Sequence, residues 1–155
     1  MNPSYLVFSQ HGMVDTHQAM ELLAKRNSDS NSRIIAPDLG FLNTLFNIEP
    51  LITNVEAIAI REIQNYPDVP IRIIGCSLGG VIWTEILTRH PEWWPNVESW
   101  VLLGSPIGGA HLAKIADPLN LVGCQTSIGC QIKGIKDGAD KTYYVWNNKI
   151  GRAHV

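Results

Sequence analysis

The chain has 155 residues, 45% of them hydrophobic and 17% charged, and a formal net charge of −2 at pH 7. One domain accounts for this length, and a chain of this size buries about two thirds of the surface that its unfolded form exposes. No basic cluster exceeds the pair Lys25-Arg26, which excludes an electrostatic surface for nucleic acid. We therefore expect a small-molecule partner.

The N-terminus carries no basic segment, and the apolar stretch Tyr5–Phe8 is too short for the core of a signal peptide or for a membrane span. Three cysteines leave at least one unpaired, which favours a reducing compartment over a disulfide-built fold. These features predict a cytoplasmic protein without an integral membrane span. No spacing typical of metal ligands occurs in the chain, so we expect neither a metal nor a cofactor.

The N-terminal part of the chain predicts two strands with a helix between them. The strands are Tyr5–Phe8 and Arg33–Ala36, each a short apolar run that ends at loop-forming residues. Asp15 or Thr16 can cap the helix, whose apolar residues recur on one face.

A second helix is predicted by an apolar stripe between Ile52 and Tyr66. Thr53 and Glu56 match a capping box, which would place the start of the helix at Thr53. Pro67 ends the helix.

Two more strands follow, with a third helix between them. Ile71–Ile74 is β-branched apart from its arginine, the helix runs from Leu78 to the His90-Pro91 pair, and Val97–Leu103 forms the last strand. Strands that alternate with helices are typical of a parallel sheet covered on both faces. We therefore predict an α/β fold, a doubly wound and mostly parallel sheet in three α/β/α layers.

Between the third strand and its helix, Gly75-Cys76-Ser77-Leu78-Gly79 match the pattern G-x-S-x-G. A strand, a glycine-framed serine and a helix form a nucleophile elbow, a strained turn that presents the serine hydroxyl at its tip. In parallel sheets the binding crevice lies at the carboxyl ends of the strands. The predicted strands place His11-Gly12, Asp38, Ser77 and the glycine-rich segment 104–110 at that edge.

On these residues the chain resembles the α/β-hydrolase family, and within it the lipase- and esterase-like members. The resemblance rests on the His11-Gly12 loop, the elbow from Gly75 to Gly80, and the segment Gly104–Ala110 after the fourth strand. It covers about residues 4–116. Many members carry histidine at the position of Cys76.

The resemblance implies that Ser77 is the nucleophile, which forms an acyl-enzyme that water then hydrolyses. The oxyanion would bind the backbone N–H groups of Leu78 and Met13, with His11 and Gly12 shaping the loop. The implied substrate is a carboxylic ester or a related acyl compound. Two alternatives stay open: an acyltransferase or thioesterase, and a non-catalytic protein that binds a small apolar ligand in the same crevice. A nucleotide-binding P-loop is disfavoured because no G-K-[ST] follows the glycines.

Catalysis by serine also needs a histidine and a carboxylate, which follow the nucleophile in the order acid, then histidine, in this fold. The carboxylates after Ser77 are Glu85, Glu92, Glu98, Asp117, Asp137 and Asp140, and the histidines are His90, His111 and His154. None fits, because Glu85 and His90 lie on or just after the elbow helix and His111 precedes every late acid. We therefore expect residues 1–149 to be a partial α/β-hydrolase domain that lacks its last strands, its acid and its base.

The last six residues, 150–155, match one reading frame of a sequencing-adapter oligonucleotide. We interpret them as a non-native tail, which removes His154 from the candidate bases.

Three further features have ordinary structural interpretations. Trp93-Trp94 is expected to pack at the edge of the sheet rather than line an acyl pocket. Asp38 is expected to bond to its own loop backbone, and Cys76 to pack as a small apolar side chain. Cys124 and Cys130 are expected to be free thiols.

Overall fold

The structure is a computed structural model that describes residues 2–13, 15–40, 43, 48–105, 143–146 and 151–153, the last two ranges by their backbone. The strands are β1 (Leu6–Gln10), β2 (Arg33–Ile35), β3 (Ile71–Cys76), β4 (Val97–Leu103), β5 (Tyr143–Trp146) and β6 (Gly151–Ala153). The helices are α1 (His17–Arg26), α2 (Glu49–Asn65), α3 (Leu78–Arg89) and a 3₁₀ helix at Pro91–Asn96. Every strand and helix predicted before residue 104 is present, with ends that shift by a few residues.

The described strands form one sheet in the order β2-β1-β3-β4-β5-β6. Strands β1 to β5 run parallel to their neighbours, and β6 runs antiparallel to β5. The register places Gln10 opposite Gly75 and Cys76 opposite Leu103. The carboxyl ends of β1, β3 and β4 therefore meet at one edge of the sheet.

Helices cover the sheet on both faces. Phe8 packs on Trp83 of α3, with ring centroids 4.8 Å apart, whereas the hydroxyl of the next residue, Ser9, donates to the Met20 carbonyl of α1 at 2.8 Å. Because successive residues of a strand point to opposite faces, α1 lies on one face and α3 on the other. Helix α2 packs beside α3. The predicted three-layer α/β/α arrangement is confirmed.

The direction of the chain across the sheet reverses between β1 and β3. The chain crosses from β1 to β2 on one side, and from β3 to β4 on the other. Right-handed crossovers in opposite directions put their helices on opposite faces and leave a crevice at the carboxyl edge between the two strands. The loop that begins with His11-Gly12 and the turn at Ser77 both lie at this point.

Helix α2 begins one turn earlier than the sequence predicts. Thr53 lies inside the helix, where its hydroxyl donates to the Glu49 carbonyl at 3.0 Å, so the predicted capping box is wrong. Pro50 in the first turn explains the earlier start, because its fixed φ and missing N–H suit that position. Glu56 instead lies 3.0 Å from the ring of His90.

The two tryptophans of the 3₁₀ helix pack against the protein. Trp94 is 7% exposed and meets Trp100 of β4 edge-on, with ring centroids 6.0 Å apart. Trp93 stacks on His90 at 3.9 Å. Their expected role in packing is confirmed.

Strand β5 lies in a stretch for which the sequence shows no clear period, and it pairs in parallel with β4. Residues 106–142, including Cys124 and Cys130, lie outside the described residues. Strand β6 falls within the six-residue tail, whose non-native origin stays a prediction. Of the described helices, none is both long enough and apolar enough to cross a bilayer.

Candidate active site

Ser77 occupies the turn between β3 and α3 with an unusual backbone. Its dihedral angles are φ 50° and ψ −119°, and among the described residues other than glycine it alone has a positive φ. A side chain in such a conformation costs about 1–3 kcal/mol. The Ser77 N–H donates to the Leu103 carbonyl at 2.9 Å, and the Ser77 carbonyl accepts from the Gly80 N–H at 3.1 Å. These bonds to β4 and α3 hold the strained turn in place.

Glycines allow β3, α3 and β1 to approach closely around this turn. A Cβ on Gly75 would lie 2.5 Å from the Gly80 Cα, and a Cβ on Gly79 would overlap the Gln10 carbonyl oxygen. A Cβ on Gly80 would overlap Ser105, a buried residue whose hydroxyl donates to the Gly75 carbonyl at 3.2 Å. The glycine framing that the sequence analysis assigned to the elbow therefore has a steric basis.

The loop after β1 lies directly against Ser77. A Cβ on Gly12 would lie 2.9 Å from the Ser77 Cβ, 3.5 Å from its Oγ and 3.2 Å from the Cys76 carbonyl oxygen. Real Cβ atoms essentially never come within 3.0 Å of a non-bonded heavy atom. Glycine is therefore needed at position 12 for the loop to reach the serine. The structure thus brings together Gly12 and Ser77, 65 positions apart in the chain.

The two residues predicted to donate N–H groups directly follow Gly12 and Ser77. Leu78 is the first residue of α3 and is fully buried. The first N–H groups of a helix have no partner within the helix and lie at the positive end of its dipole. Met13 is partly buried and packs against the hydrophobic core.

Cys76 precedes Ser77 and is partly buried. Burial, and after it the nearby Asp15 carboxylate, raise the pKa of the Cys76 thiol above its ordinary value. Both effects disfavour the thiolate, which is the nucleophilic form of cysteine.

His90 and Glu85 lie far from the elbow. Helix α3 has 12 residues, so its last residue lies roughly 17 Å from its first at about 1.5 Å of rise per residue. The His90 ring lies 2.8 Å from Glu92 and 3.0 Å from Glu56, and Glu85 pairs with Arg89 at 3.0 Å. The prediction that these two residues do not serve Ser77 is consistent with these contacts. His111, His154, Asp117, Asp137 and Asp140 lie outside the described residues.

The contacts that His11 makes are not predicted from the sequence. The side chain is fully buried, its Nε2 accepts a hydrogen bond from the Leu39 N–H at 2.9 Å, and its Nδ1 lies 2.9 Å from the Gly12 carbonyl oxygen. His11 and Leu39 are 28 positions apart. No local pattern in the sequence signals a contact of this kind, because it arises from the pairing of β1 with β2.

Asp38 lies beside His11, with its Oδ1 3.5 Å from the ring Nε2. It accepts a hydrogen bond from the Gly40 N–H at 2.9 Å, and this bond is the main reason that the pKa of Asp38 is lowered. The expected bond of Asp38 to its own loop backbone is confirmed. Asp38 also lies 3.4 Å from His17, and it borders a cleft of about 540 Å³ beside the first turns of α2.

Among the described residues, no group of three or more His, Cys, Asp or Glu side chains is arranged to hold a metal ion.

Solved lipases and esterases share this fold. The lipase BlEst2 of Bacillus licheniformis in its mature form aligns with a TM-score of 0.58 and 20% identity, over 97% of this chain and 67% of that one. The phospholipase PlaB of Legionella pneumophila aligns with a TM-score of 0.56 and 13% identity, over 91% of this chain and 36% of that one. A metagenomic carboxyl esterase aligns with a TM-score of 0.55 and 14% identity, over 94% of this chain and 51% of that one.

These likenesses show that the chain has the α/β-hydrolase fold, which confirms the fold expected from the resemblance. The chain spans between 36% and 67% of the length of these three proteins.

Sequence comparisons add little. No protein-family model matches the chain. A carboxyaminopropylagmatine dehydrogenase of Synechocystis sp. is 75% identical over 24 residues, which are 16% of this chain and 6% of that protein. So short a match does not extend to the fold or to the site.

Proposed function

We propose that this chain is part of a serine hydrolase that cleaves carboxylic esters or related acyl compounds, with Ser77 as the nucleophile. The observation that carries the proposal is the backbone of Ser77, held at φ 50° between β3 and α3. Strained residues of this kind cluster at active sites, where the surrounding structure maintains them. The glycine contacts at the elbow and the Gly12 loop against the serine support the same proposal.

In the proposed reaction the Ser77 Oγ attacks the acyl carbonyl, the alcohol leaves, and water hydrolyses the acyl-enzyme. Negative charge develops on the former carbonyl oxygen. The Leu78 N–H at the start of α3 and the Met13 N–H of the β1 loop would bind this oxyanion. Removal of one such donor typically lowers the rate by about 10²–10³-fold.

Ser77 also needs a base to accept its proton. His90 lies at the opposite end of α3, and both ring nitrogens of His11 already have partners within the protein. The third described histidine, His17 of α1, lies 3.4 Å from Asp38, and both residues precede Ser77 in the chain, against the order of this fold. We therefore propose that the catalytic histidine and its carboxylate lie outside the described residues.

Fluorophosphonate labelling tests this proposal. In a full-length version of the protein, which supplies the proposed base, we expect a fluorophosphonate probe to label the parent and the Cys76→Ala variant, and not to label Ser77→Ala, with fold verified for each by circular dichroism. Labelling of Ser77→Ala would overturn the assignment of the nucleophile. A folded full-length parent that takes up no probe would favour the non-catalytic ligand-binding alternative, and acyl transfer to an added alcohol in preference to water would favour the acyltransferase.

The compartment is a separate proposal. We propose the cytoplasm, since an unpaired cysteine fits a reducing environment.

A further inference from the structure

We propose that Ser105 is a positioning residue for Ser77: its buried hydroxyl fixes the end of the strand from which the Ser77 turn begins, and so keeps the Ser77 Oγ in place for attack. This inference rests on the proposed function, because it concerns the placement of the proposed nucleophile. Ser105 is not a catalytic residue, since its hydroxyl binds a backbone carbonyl and not a reacting atom.

A turn after β4 brings Ser105 back toward β3. Gly75 lies opposite Leu102 in the sheet, and Ser105 comes three positions after Leu102. A strand rises about 3.3 Å per residue, so a straight continuation of β4 would put Ser105 roughly 10 Å beyond Gly75. Gly104 instead has φ 58°, and the Ser105 hydroxyl donates to the Gly75 carbonyl at 3.2 Å. The bond therefore depends on the turn at Gly104.

Glycine at position 104 serves this backbone conformation and not a close approach. A Cβ there would meet no atom within 4 Å. A positive φ is nevertheless unfavourable for any residue with a side chain. The sequence Gly104-Ser105 thus supplies both the turn and the hydroxyl that the turn delivers to β3.

The end of β4 holds the elbow on both sides of Ser77. Before the serine, the Ser105 hydroxyl binds the Gly75 carbonyl. After it, Ser105 packs on Gly80 in the first turn of α3, where an added Cβ would lie 2.5 Å from the Ser105 Cβ. At the serine itself, the N–H donates to the Leu103 carbonyl at 2.9 Å. One buried side chain therefore contacts the strand and the helix that the turn connects.

The strained backbone of Ser77 connects these contacts to reactivity. A residue with an unfavourable positive φ persists only where the surrounding structure maintains it. Without the bond from Ser105, the end of β3 can shift relative to β4, and the Ser77 turn can relax toward a less strained conformation. Such a rotation moves the Oγ, and an error of about 1 Å in the placement of a reacting group can lower a rate by about 10²-fold.

Ser9 provides a matched control. Like Ser105, it is a buried serine, 0% exposed against 2%, and its hydroxyl also donates to a backbone carbonyl, that of Met20 at 2.8 Å. Met20 belongs to α1, on the face of the sheet opposite the elbow helix α3. Ser105→Ala and Ser9→Ala each remove one buried hydrogen bond of the same kind. A purely structural role predicts similar falls in melting temperature and similar labelling rates for the two variants.

Fluorophosphonate labelling of a full-length version of the protein separates the two roles. We expect Ser105→Ala to react about ten- to a hundredfold more slowly than the parent, and Ser9→Ala to react at the parent rate. Ser105→Cys has nearly the same shape and a weaker donor, so its rate should lie between those of the parent and Ser105→Ala. Equal rates for Ser105→Ala and Ser9→Ala would overturn the positioning role. If Ser105→Ala does not fold, a folded Ser105→Cys that reacts at the parent rate would overturn it as well.

NMR of the same variants gives a readout that does not depend on reactivity. The backbone chemical shifts of Ser77 report its φ, and we expect them to move in Ser105→Ala and to stay in place in Ser9→Ala. Unchanged Ser77 shifts in Ser105→Ala would contradict the inference. A full-length parent that resists labelling, while its Ser77 shifts respond to Ser105→Ala as expected, would contradict the proposed function and leave the role of Ser105 in the turn standing.

Discussion

At the scale of single residues, Ser77 is the proposed nucleophile and has a strained backbone conformation. Its φ of 50° is outside the range that L-residues adopt readily, and the residue that removes this penalty is glycine. A hydrolase cannot use glycine there, because glycine has no hydroxyl. If Ser77 is the nucleophile, its strain is a cost in stability that the proposed activity requires.

This cost can be measured with two substitutions. Ser77→Ala keeps the Cβ and its strain, whereas Ser77→Gly removes both, so we expect Ser77→Gly to be the more stable by about 1 kcal/mol. For a domain of this size that difference corresponds to roughly 2–4 °C in the melting temperature. Differential scanning calorimetry of the two variants measures it.

Ser99 provides the matched control. It lies within β4, where its backbone has no positive φ. Glycine weakens a strand by about 0.5–1 kcal/mol relative to alanine, so Ser99→Gly should melt below Ser99→Ala. If Ser77→Gly also melted below Ser77→Ala, the turn at Ser77 would not be strained.

At the scale of elements, a partly buried ion pair joins β2 to α2. The Arg33 guanidinium binds both carboxylate oxygens of Glu62 through Nε and, at 3.0 Å, Nη2. The Glu62 side chain is 5% exposed and the Arg33 side chain 46% exposed. The bond from Arg33 lowers the pKa of Glu62, against the opposing effect of burial.

Removal of Arg33 and removal of Glu62 should lower the free energy of unfolding by different amounts. Arg33→Met leaves a buried carboxylate whose remaining cation is Arg61, 3.5 Å away, and we expect a loss of roughly 2–3 kcal/mol in the free energy of unfolding. Glu62→Gln leaves a half-exposed arginine that water can solvate, so we expect a loss of about 1 kcal/mol. Urea denaturation at pH 7 measures both. A larger loss for Glu62→Gln would contradict the asymmetry.

The same pair predicts a dependence on pH. A carboxyl group with a lowered pKa in the folded state stabilises the protein above its unfolded pKa, about 4.3 for Glu, and loses this contribution as the pH falls through the folded value. The stability difference between the parent chain and Glu62→Gln should therefore shrink between pH 7 and pH 3. A difference that stays constant over this range would show that Glu62 does not titrate as proposed.

The elements also show what the sequence can and cannot predict. Val97–Leu103 is predicted to the residue, because an apolar strand follows a proline-rich turn. The capping box at Thr53 is wrong because a threonine hydroxyl can also bond to a carbonyl one turn earlier inside a helix. Strand β5 is missed because a run of four residues is too short to establish a period.

The candidate active site also has parts that the sequence predicts and parts that it does not. The turn at Ser77 is encoded locally by glycines and by the change from strand to helix period, so the sequence predicts it. The contact of Gly12 with Ser77 and the bond from Leu39 to His11 depend on which strands become neighbours. Strand order is a property of the whole sheet, and no local pattern specifies it.

At the scale of the whole molecule, the two faces of the sheet differ in how well the described residues cover them. On the face of α2 and α3, Ile73 of β3 is fully buried in the main core. On the face of α1, a cleft of about 500 Å³ is bordered by Leu23 of α1, Ile74 of β3 and Val101 of β4. Neighbouring residues of one strand therefore lie in different environments.

Ile73 and Ile74 are a matched pair for testing this difference, because alanine lowers strand propensity equally at both positions. Ile73→Ala should lower the free energy of unfolding by about 3–5 kcal/mol, since a fully packed site leaves a cavity when methyl groups are removed. Ile74→Ala should cost about 1–2 kcal/mol, because its side chain is partly exposed in the cleft and gives up less buried surface. Denaturant unfolding with a common m-value measures both. Equal losses would mean that the face beside α1 is packed as densely as the core, and that the cleft is closed in solution.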